Sequence, residues 1–562
     1  IGEDAFWINT GHALPLGCNA VIMVEKVHEL VADQVEIMSP VYPWENVRKV
    51  GEDIVATQLL FPKNHVIRAF DLGAMIAAGV FEVSVHKKPN VTIIPTGTEM
   101  INHRDIVDFS QLKRNQIVDS NSVTISGLVS QMHGEPCVLG ITPDDEDAIR
   151  DVLLKTAETQ TDLIVILAGS SAGSKDFTAR ILAEIGEIFV HGVAMMPGKP
   201  TILGRIKNKP VIGLPGYPVS AVLAFEQFAK PILLRLQGFD VPKDHFVPVR
   251  SSRPIPSKLG LEEFVRVNIG KVGNTMVATP LPRSAGSITT LTRAEGVIRI
   301  PPFSEGIHQD EEVLAELLMD ETQLDGTVVV IGSHDMTIDI LADEIRHSRQ
   351  RPVRVSSANV GSLGGLLAVK KGICHLAGSH LLDIKTGEYN VSFIKRYLEG
   401  IGISLFHLVR REQGLIIPKG NPKGIKGILD LMRDDVVFVN RQKGSGTRIL
   451  LDYHLTRAGI KAESIKGYDH EEYSHMSVAV DVLSGLADCG MAIYAAAKAL
   501  DLDFIPMDVE NFDLVIRTER LQETNIQAVF DTIRSDKFRK RVSSLGGYDP
   551  SKSGDLVIEM NS

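Results

Sequence analysis

Two stretches in which strand-like and helix-like sequence alternate constrain this 562-residue chain more than any other feature. The first runs from 91 to 240. "VTIIPTG" is a strand ending in a turn, "NSVTISGLVSQMHG" is helical, and "PCVLGI" is a second strand. "DEDAIRDVLLKTAE" is a helix with an acidic first turn, "TDLIVILAG" a strand with no polar face, and "DFTARILAEIG" another helix. Strands alternating with helices imply a parallel sheet with crossovers. The pattern restarts at 327 with "TVVVIGSHD", "PVRVSSANVGS", "GLIIPKGNP" and "DVVFVNRQ". Between the two blocks, residues 243–318 hold only short strands ("FVRVNIG", "TMVATPL", "GVIRIPP") and read as a small β domain. Residues 1–88 carry short alternating runs ("NAVIMVEKV", "QVEIM") broken by Pro and Gly, a β-rich pattern. "MDETQLDG" (319–326) is polar and reads as a linker. The expected class is therefore multidomain α/β plus β: a β-rich region 1–88, a parallel α/β domain 89–240, a small β domain 243–318 and a second α/β domain 327–562. The chain opens "IGEDAFWINTG", without Met and in mid-domain style, so further residues are expected upstream.

A formal net charge of −11 argues against non-specific nucleic-acid binding, which needs a basic face. Cys18, Cys137, Cys374 and Cys489 lie far apart with no C-x-x-C, which suits a reducing cytosol better than a disulfide framework. No apolar run approaches the roughly 18–20 residues of a membrane span, and no signal peptide is visible. Against that background two kinds of anion site stand out. "LIVILAGSSAGSKDF" (163–177) ends a strand in Gly and Ser and opens a helix, where free N–H groups and the dipole favour an anion. A plain loop fits that segment equally well. "NRQKGSGTR" (440–448) is not a nucleotide loop of the G-x-x-x-x-G-K-[ST] type. It offers N–H groups from Gly444, Ser445 and Gly446, hydroxyls from Ser445 and Thr447, and charge from Arg441, Lys443 and Arg448. That set suits a small oxyanion. "IGSHD" (331–335) and "NVGSLGG" (359–365) share its character, and three such turns can converge at the carboxyl ends of one sheet. The alternative is that these Ser and Thr residues are ordinary helix caps. His334, His375, His380 and His475 follow no standard metal spacing and read as structural or hydrogen-bonding groups.

Eight pieces, in order, carry a resemblance over about residues 5–318: "INTGHALPLGCNAVIMVEKV" (8–27), "GEDI" (51–54), "TGTEM" (96–100), "DSNS" (119–122), "DDED" (144–147), "AGSSAGSKD" (168–176), "PGKP" (197–200) and "LPGYPVSA" (214–221). They resemble the molybdopterin molybdotransferase family, to which the gephyrin C-terminal domain is related. The resemblance implies a molybdopterin-binding α/β domain, a small β-barrel, a homodimer, and displacement of AMP from adenylylated molybdopterin by molybdate. It implies acidic catalytic positions at Asp53, Glu99, Asp144 and Asp176, with Glu99 and Asp176 as Mg²⁺ ligands. Gly169, Ser170, Ser171, Gly173, Lys199, Pro215 and Pro218 are the implied molybdopterin contacts. Four positions depart from the family pattern: Thr98 stands for Asp, Ala168 for Gly, Met196 for Lys and Tyr217 for Asn. An acid and a cation are thereby lost, and the family's upstream acidic motif, near "SAMDGYA", is not in this stretch.

Residues 327–562 resemble the two-lobed periplasmic-binding-protein superfamily, through "SHD" (333–335), "GSLGGLLAV" (361–369), "HLAGSHLLD" (375–383), "TGEYN" (386–390), "REQGLIIPKGNP" (411–422), "NRQKGSGTR" (440–448), "GYDHEEYSH" (467–475) and "GLADCGMAI" (485–493). The likeness is nearest to effector domains of molybdate-responsive proteins. It implies lobe exchange near 405–412 and 503–512 and a molybdate or tungstate guest held by Ser333, His334, Ser362, Arg441, Ser445, Gly446, Thr447 and Arg448. Three function classes follow: a cytoplasmic transferase fed by its own oxyanion-capture domain; a catalytically impaired oxyanion sensor or store; and, last, a transcriptional regulator, for which no basic helix-turn-helix is visible.

Overall fold

The computed structural model describes residues 2, 4–31, 33–113, 115–167, 177–241, 245–347 and 353–561. It separates into two units, residues 1–87 with 234–240, and residues 88–233 with 241–562.

The first unit contains a hairpin, β1 (Val27–Val31) with β2 (Gln34–Ile37), and a helix, α1 (Ala69–Ala77). Between these elements lie turns and extended segments rather than the β-rich fold the alternation suggests. The physical reason is that alternation yields a sheet only where one face is covered. Of the described residues in 1–87 only Asp71 and Met75 are buried. Asp71 holds the start of α1, accepting from Arg68 and from His65 Nε2 at 2.7 Å.

In the second unit a six-stranded sheet comes first. Its strands are β3 (Asn90–Pro95), β4 (Glu135–Val138), β5 (Leu163–Leu167), β6 (Glu187–His191), β8 (Ile202–Ile206) and β9 (Lys209–Leu214), in the order β4-β3-β5-β9-β8-β6. The four strands from β4 to β9 are parallel, and β8 and β6 add an antiparallel edge. Helices α2 (Asn121–Gln131), α3 (Glu146–Ala157), α4 (Phe177–Ile185) and α5 (Pro218–Ala224) follow β3, β4, β5 and β9. β5 is buried at every position, as a strand covered on both faces must be.

A short strand, β7 (Met195–Met196), leaves this domain and pairs in parallel with β11 (Glu262–Val272) of the next. There β10 (Phe246–Ser251), β11, β12 (Thr275–Pro280), β13 (Gly296–Ile300) and β14 (Glu312–Leu317) close into a five-stranded barrel, because β12 bonds both β10 and β11. Alternation along β10 puts Val247 and Val249 inside. The polar stretch 319–326 is not a free linker. It forms a 3-10 turn, Glu321–Gln323, and Leu324 is buried in the barrel core.

From residue 327 on, the strands build one continuous ten-stranded sheet in two lobes, in which Tyr548–Asp549 and Leu556–Met560 pair with Ile403–Ile417 beside the path of the other eight. Its order is β16-β15-β17-β22-β18-β21-β19-β20. β15 (Thr327–Gly332), β16 (Arg354–Asn359) and β17 (Leu376–Ser379) belong to one lobe, where α6 (Met336–His347) follows β15. β19 (Phe438–Arg441), β20 (Glu471–Glu472) and β21 (Cys489–Ile493) belong to the other. Two fifteen-residue strands, β18 (Ile403–Ile417) and β22 (Asp503–Arg517), run antiparallel through both. Their register slips between His407 and Val409 and between Gln413 and Gly414. Such bulges bend a strand pair.

Candidate functional site

At the carboxyl ends of β3, β4 and β9 the loops carrying the first motifs come together. Thr96 makes a lone parallel bridge to Thr142, so "TGTEM" and "DDED" lie side by side. Thr98 N donates to Asp144 Oδ2 at 3.4 Å, and Asp144 N to Thr98 Oγ1 at 3.3 Å. Glu99 and Asp144 are exposed. Asn121, at the start of α2, donates to the carbonyl of Gly216 at 2.7 Å and so ties "DSNS" to the turn carrying Pro215 and Pro218. Asp119 is buried and accepts from Ser122 N, a role that the motif did not reveal by spacing. Ile202 pairs with Gly213, so the turn bearing Lys199 lies at the same sheet edge; Lys199 is exposed. Asp53 sits in the first unit, on an exposed bend. Gly169, Ser170, Ser171, Gly173 and Asp176, with Ala168, lie outside the described residues.

The second constellation centres on His380, just after β17. Helix α7 (Ser362–Lys371) begins with Ser362, whose Oγ accepts from His380 N at 3.1 Å. Ser333, after β15, lies 2.8 Å from His380 Nε2 through its Oγ. Helix α8 (Gly446–Ala458) starts against the same ring, where a Cβ on Gly446 would stand 2.2 Å from His380 Nδ1. Only glycine allows that approach between the lobes. His380 Nδ1 faces Glu510 Oε2 at 3.1 Å. An ionised Glu510 requires Nδ1 to carry the proton, so in the neutral ring Nε2 accepts the Ser333 hydroxyl.

Behind His380 lies a buried ionic chain. Arg411, wholly enclosed in mid-β18, bridges Glu510 of β22 and Asp335, while Tyr548 Oη donates to Asp335 at 2.8 Å. Burial works against the Glu510 charge, yet Arg411 and then His380 hold its carboxyl down to about 2. Gln413 Nε2 spans Glu510 and Thr447 Oγ1, the latter at 3.2 Å. Ser445 caps α8, accepting from Arg448 N. Arg448 pairs with Glu471 and stacks over Tyr468, 4.6 Å from its ring centre, so its charge is largely spent. Arg441 donates to the carbonyls of Glu472 and Tyr473, which leaves Nη1 buried and unpartnered. Arg411 Nη2 is likewise buried and unpartnered. Burial, then the Arg411 charge, pushes the Arg441 guanidinium down to about 10. Burial, then Arg441 and Arg411, pushes His475 well below the ordinary imidazole range. His334 stands apart, 3.4 Å from Asp339.

The structure thus joins Ser333, Ser362, Arg441, Ser445, Gly446 and Thr447 around His380 and the Arg411 chain, with Arg448 bound mainly to its neighbours and His334 at the margin. Arg411, Gln413 and Glu510 were missed from sequence. "REQG" had been noted as a motif, but nothing local shows that its Arg and Gln face a Glu on a strand about a hundred residues later.

Residues 1–79, 92–235 and 248–318 match family models described as the MoeA N-terminal region (domain I and II), the probable molybdopterin binding domain and the MoeA C-terminal region (domain IV). A putative molybdopterin biosynthesis protein of Methanocaldococcus jannaschii is 33% identical over 318 residues, 56% of this chain and 76% of that one. The molybdopterin molybdenumtransferase 2 of Mycobacterium tuberculosis is 30% identical over 304 residues, 52% of this chain and 72% of its own. This chain belongs to the molybdopterin molybdenumtransferase family. A solved molybdopterin biosynthesis MoeA protein from Pyrococcus horikosii aligns with 54% of the chain and 72% of its own length at 32% identity, TM-score 0.44. To this transferase-family architecture the chain adds a PBP superfamily domain, matched over residues 342–534. Among the described residues no helix is long and apolar enough to cross a membrane.

Proposed function

We propose that the N-terminal half of this family member transfers molybdate, or tungstate, onto adenylylated molybdopterin with release of AMP, and that the C-terminal lobes capture the oxyanion for it. Support for the transfer is the family membership and the gathering of "TGTEM", "DDED", "DSNS", "PGKP" and "LPGYP" at one sheet edge. Glu99 and Asp144 are oxygen donors open to solvent, a set that fits Mg²⁺. Glu99, with Asp176, would hold that ion, which when bound neutralises phosphate charge. Lys199 meets the pterin phosphate, and Pro215 and Pro218 stiffen the opposite wall. The reading has the protein act in the cytoplasm as a homodimer, which suits its four unpaired cysteines.

One observation carries the oxyanion reading: the buried, unpartnered guanidinium nitrogens of Arg441 and Arg411. A buried donor left unpaired costs about 1–3 kcal/mol, which a tetrahedral dianion recovers. Thr447 Oγ1 keeps its proton, since it accepts from Gln413. The first N–H groups of α8 have no intrahelical partner by geometry. Four or five charge-assisted bonds at about 1.5–3 kcal/mol each reach the about 8 kcal/mol of micromolar binding.

The test is calorimetric titration of the full chain and of Arg441→Met with molybdate and tungstate, beside an assay of AMP release from adenylylated molybdopterin. The expected result is binding weakened at least tenfold in the variant. No binding by the parent chain, or equal binding by both, rejects oxyanion capture. No AMP release from folded protein rejects the transfer.

A further inference from the structure

On the far side of the anion loop, His470, Glu472 and Asp481 bring ligand atoms within 4.8 Å of one another. His470 and Glu472 are two residues apart along the segment that contains β20, so their side chains leave it on one face. Glu471 between them leaves on the other, toward Arg448. Asp481 comes from helix α9 (His475–Ser484), where it is 8% exposed. Its Oδ2 has no hydrogen-bond partner, although His470 Nε2 stands 3.4 Å away. A nearly buried carboxylate oxygen without a donor is costly. His470 Nε2 and Asp481 Oδ2 face each other at the spacing of an ion pair, which is also the spacing of two ligand atoms on one metal ion.

We propose that these three side chains form a binding site for a divalent transition-metal ion, with Zn²⁺ the best fit. The donor set is one imidazole nitrogen and two carboxylates, which together balance a double positive charge. Imidazole favours Zn²⁺ over Mg²⁺ and Mn²⁺, which prefer oxygen ligands. Bonds of about 2.0–2.1 Å to a tetrahedral Zn²⁺ put neighbouring ligand atoms about 3.3 Å apart. The His470–Asp481 pair already has that spacing, and Glu472 closes by side-chain rotation. A fourth position stays open to water.

The site lies directly behind Arg441. The carbonyl of Glu472 accepts from Arg441 Nε at 3.2 Å and from Gln442 N at 3.1 Å, and that of His470 accepts from Asn440 N at 2.8 Å. An ion that fixes His470 and Glu472 therefore fixes the strand against which Arg441 is aimed. The metal ion acts on the oxyanion loop as a brace. This second statement rests on the oxyanion reading; the metal site itself does not.

The experiment uses the full chain, stripped with chelator and dialysed against Zn²⁺ or, separately, Co²⁺ as an optical probe. Metal is counted by mass spectrometry for the parent, His470→Ala, Glu472→Gln and Asp481→Asn, each checked for fold by circular dichroism. His470 is exposed enough that its variant keeps the fold. The expected result is one more Zn²⁺ per parent chain than in any variant, and loss of one set of Co²⁺ visible bands. Equal metal content in the parent and in His470→Ala and Glu472→Gln overturns the site. Zn²⁺ is further expected to tighten molybdate binding three- to tenfold in the parent and not in His470→Ala. A bound Zn²⁺ that leaves molybdate affinity unchanged overturns the brace, and absence of molybdate binding beside an intact zinc site overturns the oxyanion reading instead.

Discussion

Replacing Arg411 by Met tests the reasoning about the cleft most directly. Arg411 is the shared cation of two buried carboxylates, Asp335 and Glu510. Removing one partner of a buried ion pair costs about 3–5 kcal/mol, because it strands charge in a poor solvent. In the parent chain Glu510 titrates at about 2, so its contribution is complete above the ordinary carboxylate range and is lost only as pH falls from about 4.5 toward 2. In the variant the sign reverses. Burial, opposed then only by His380 and Gln413 at Glu510 and by Thr337 and Tyr548 at Asp335, is expected to raise both carboxyls above their unfolded values. The folded state then takes up protons that the unfolded state does not hold, and the penalty shrinks as pH falls. One such group returns about 1.4 kcal/mol per pH unit, or about 3 kcal/mol between pH 7.5 and 5.5. A multidomain chain does not unfold in one step, so the readout must be local. Amide exchange of peptides from β18 and β22, corrected for intrinsic rates, supplies it. Protection should drop by about two to four decades at pH 7.5 and recover by about two at pH 5.5. The parent's β18 and β22 protection should be flat over the same range. A loss equal at both pH values, or no loss, would refute the account of Arg411 as the counter-ion of this chain.

Three further outcomes are expected. Glu295, enclosed between the barrel and Arg354 of β16, has its carboxyl raised to about 7 by burial, so it favours the folded state below about 4.5 and loses that advantage as pH rises through 7; Glu295→Gln should flatten a fall of about 3 kcal/mol across that window, and amide exchange of the barrel strands that keeps its pH slope contradicts this. Gly446→Ala sets a Cβ against His380 and should weaken calorimetric oxyanion binding at least tenfold by holding the lobes apart, so unchanged affinity rules out the close approach as a requirement. Lys199→Ala should slow AMP release about 10- to 100-fold, the equivalent of one charge-assisted bond at about 1.5–3 kcal/mol, while leaving molybdate titrations of the C-terminal cleft unaltered; a rate equal to the parent's would remove Lys199 from the site.

What could be read in the sequence was local. Ser445 precedes a helix and caps it; "LIVIL" has no polar face and is buried on both; alternation along Phe246–Ser251 turns Val247 and Val249 inward. What could not be read depends on contacts remote in the chain. The charged residues in "VRREQG" look like a solvated strand edge, yet Arg411 is among the most buried side chains in the molecule. Its acceptor Glu510 lies on β22, and only the pairing of Arg411 with Glu510 across the two long strands makes them partners. His380 reads from sequence as a hydrogen-bonding group, which it is, but its place at the centre is not legible, for the same reason. It gathers Ser333, Ser362 and Gly446 from three separate turns, and no spacing rule joins those numbers. The N-terminal alternation misled because periodicity says which faces match and not whether anything covers them.

The polar stretch 319–326 had suggested a tether, which would give the two anion sites a broad distribution of separations. The structure supports a stiffer arrangement. β11 pairs through Glu262 and Glu263 with β7, immediately before the "PGKP" turn. Toward its other end Asn268 donates to the Ser357 carbonyl of β16. Gly270 approaches β15 so closely that a Cβ would stand 2.0 Å from Val329, and Val272 shares a core with Val329 and Ile331. One eleven-residue strand, about 35 Å at 3.2–3.4 Å per residue, thus runs from beside the "PGKP" turn to β15, the strand that Ser333 follows. A strand held in a closed barrel does not bend freely, so the two loops are set at a fixed spacing. Delivery of an oxyanion along a fixed spacing gains nothing from linker length. On the function proposed above, it would depend instead on lobe opening, for which the β18–β22 bulges are the candidate hinge. Gly270→Val, which would force β11 off β15, should therefore uncouple the halves: molybdate binding and AMP release with excess molybdate would both persist, and only AMP release at limiting molybdate would fall. Equal AMP release by Gly270→Val and the parent at every molybdate concentration would show that the spacing set by β11 plays no part in delivery.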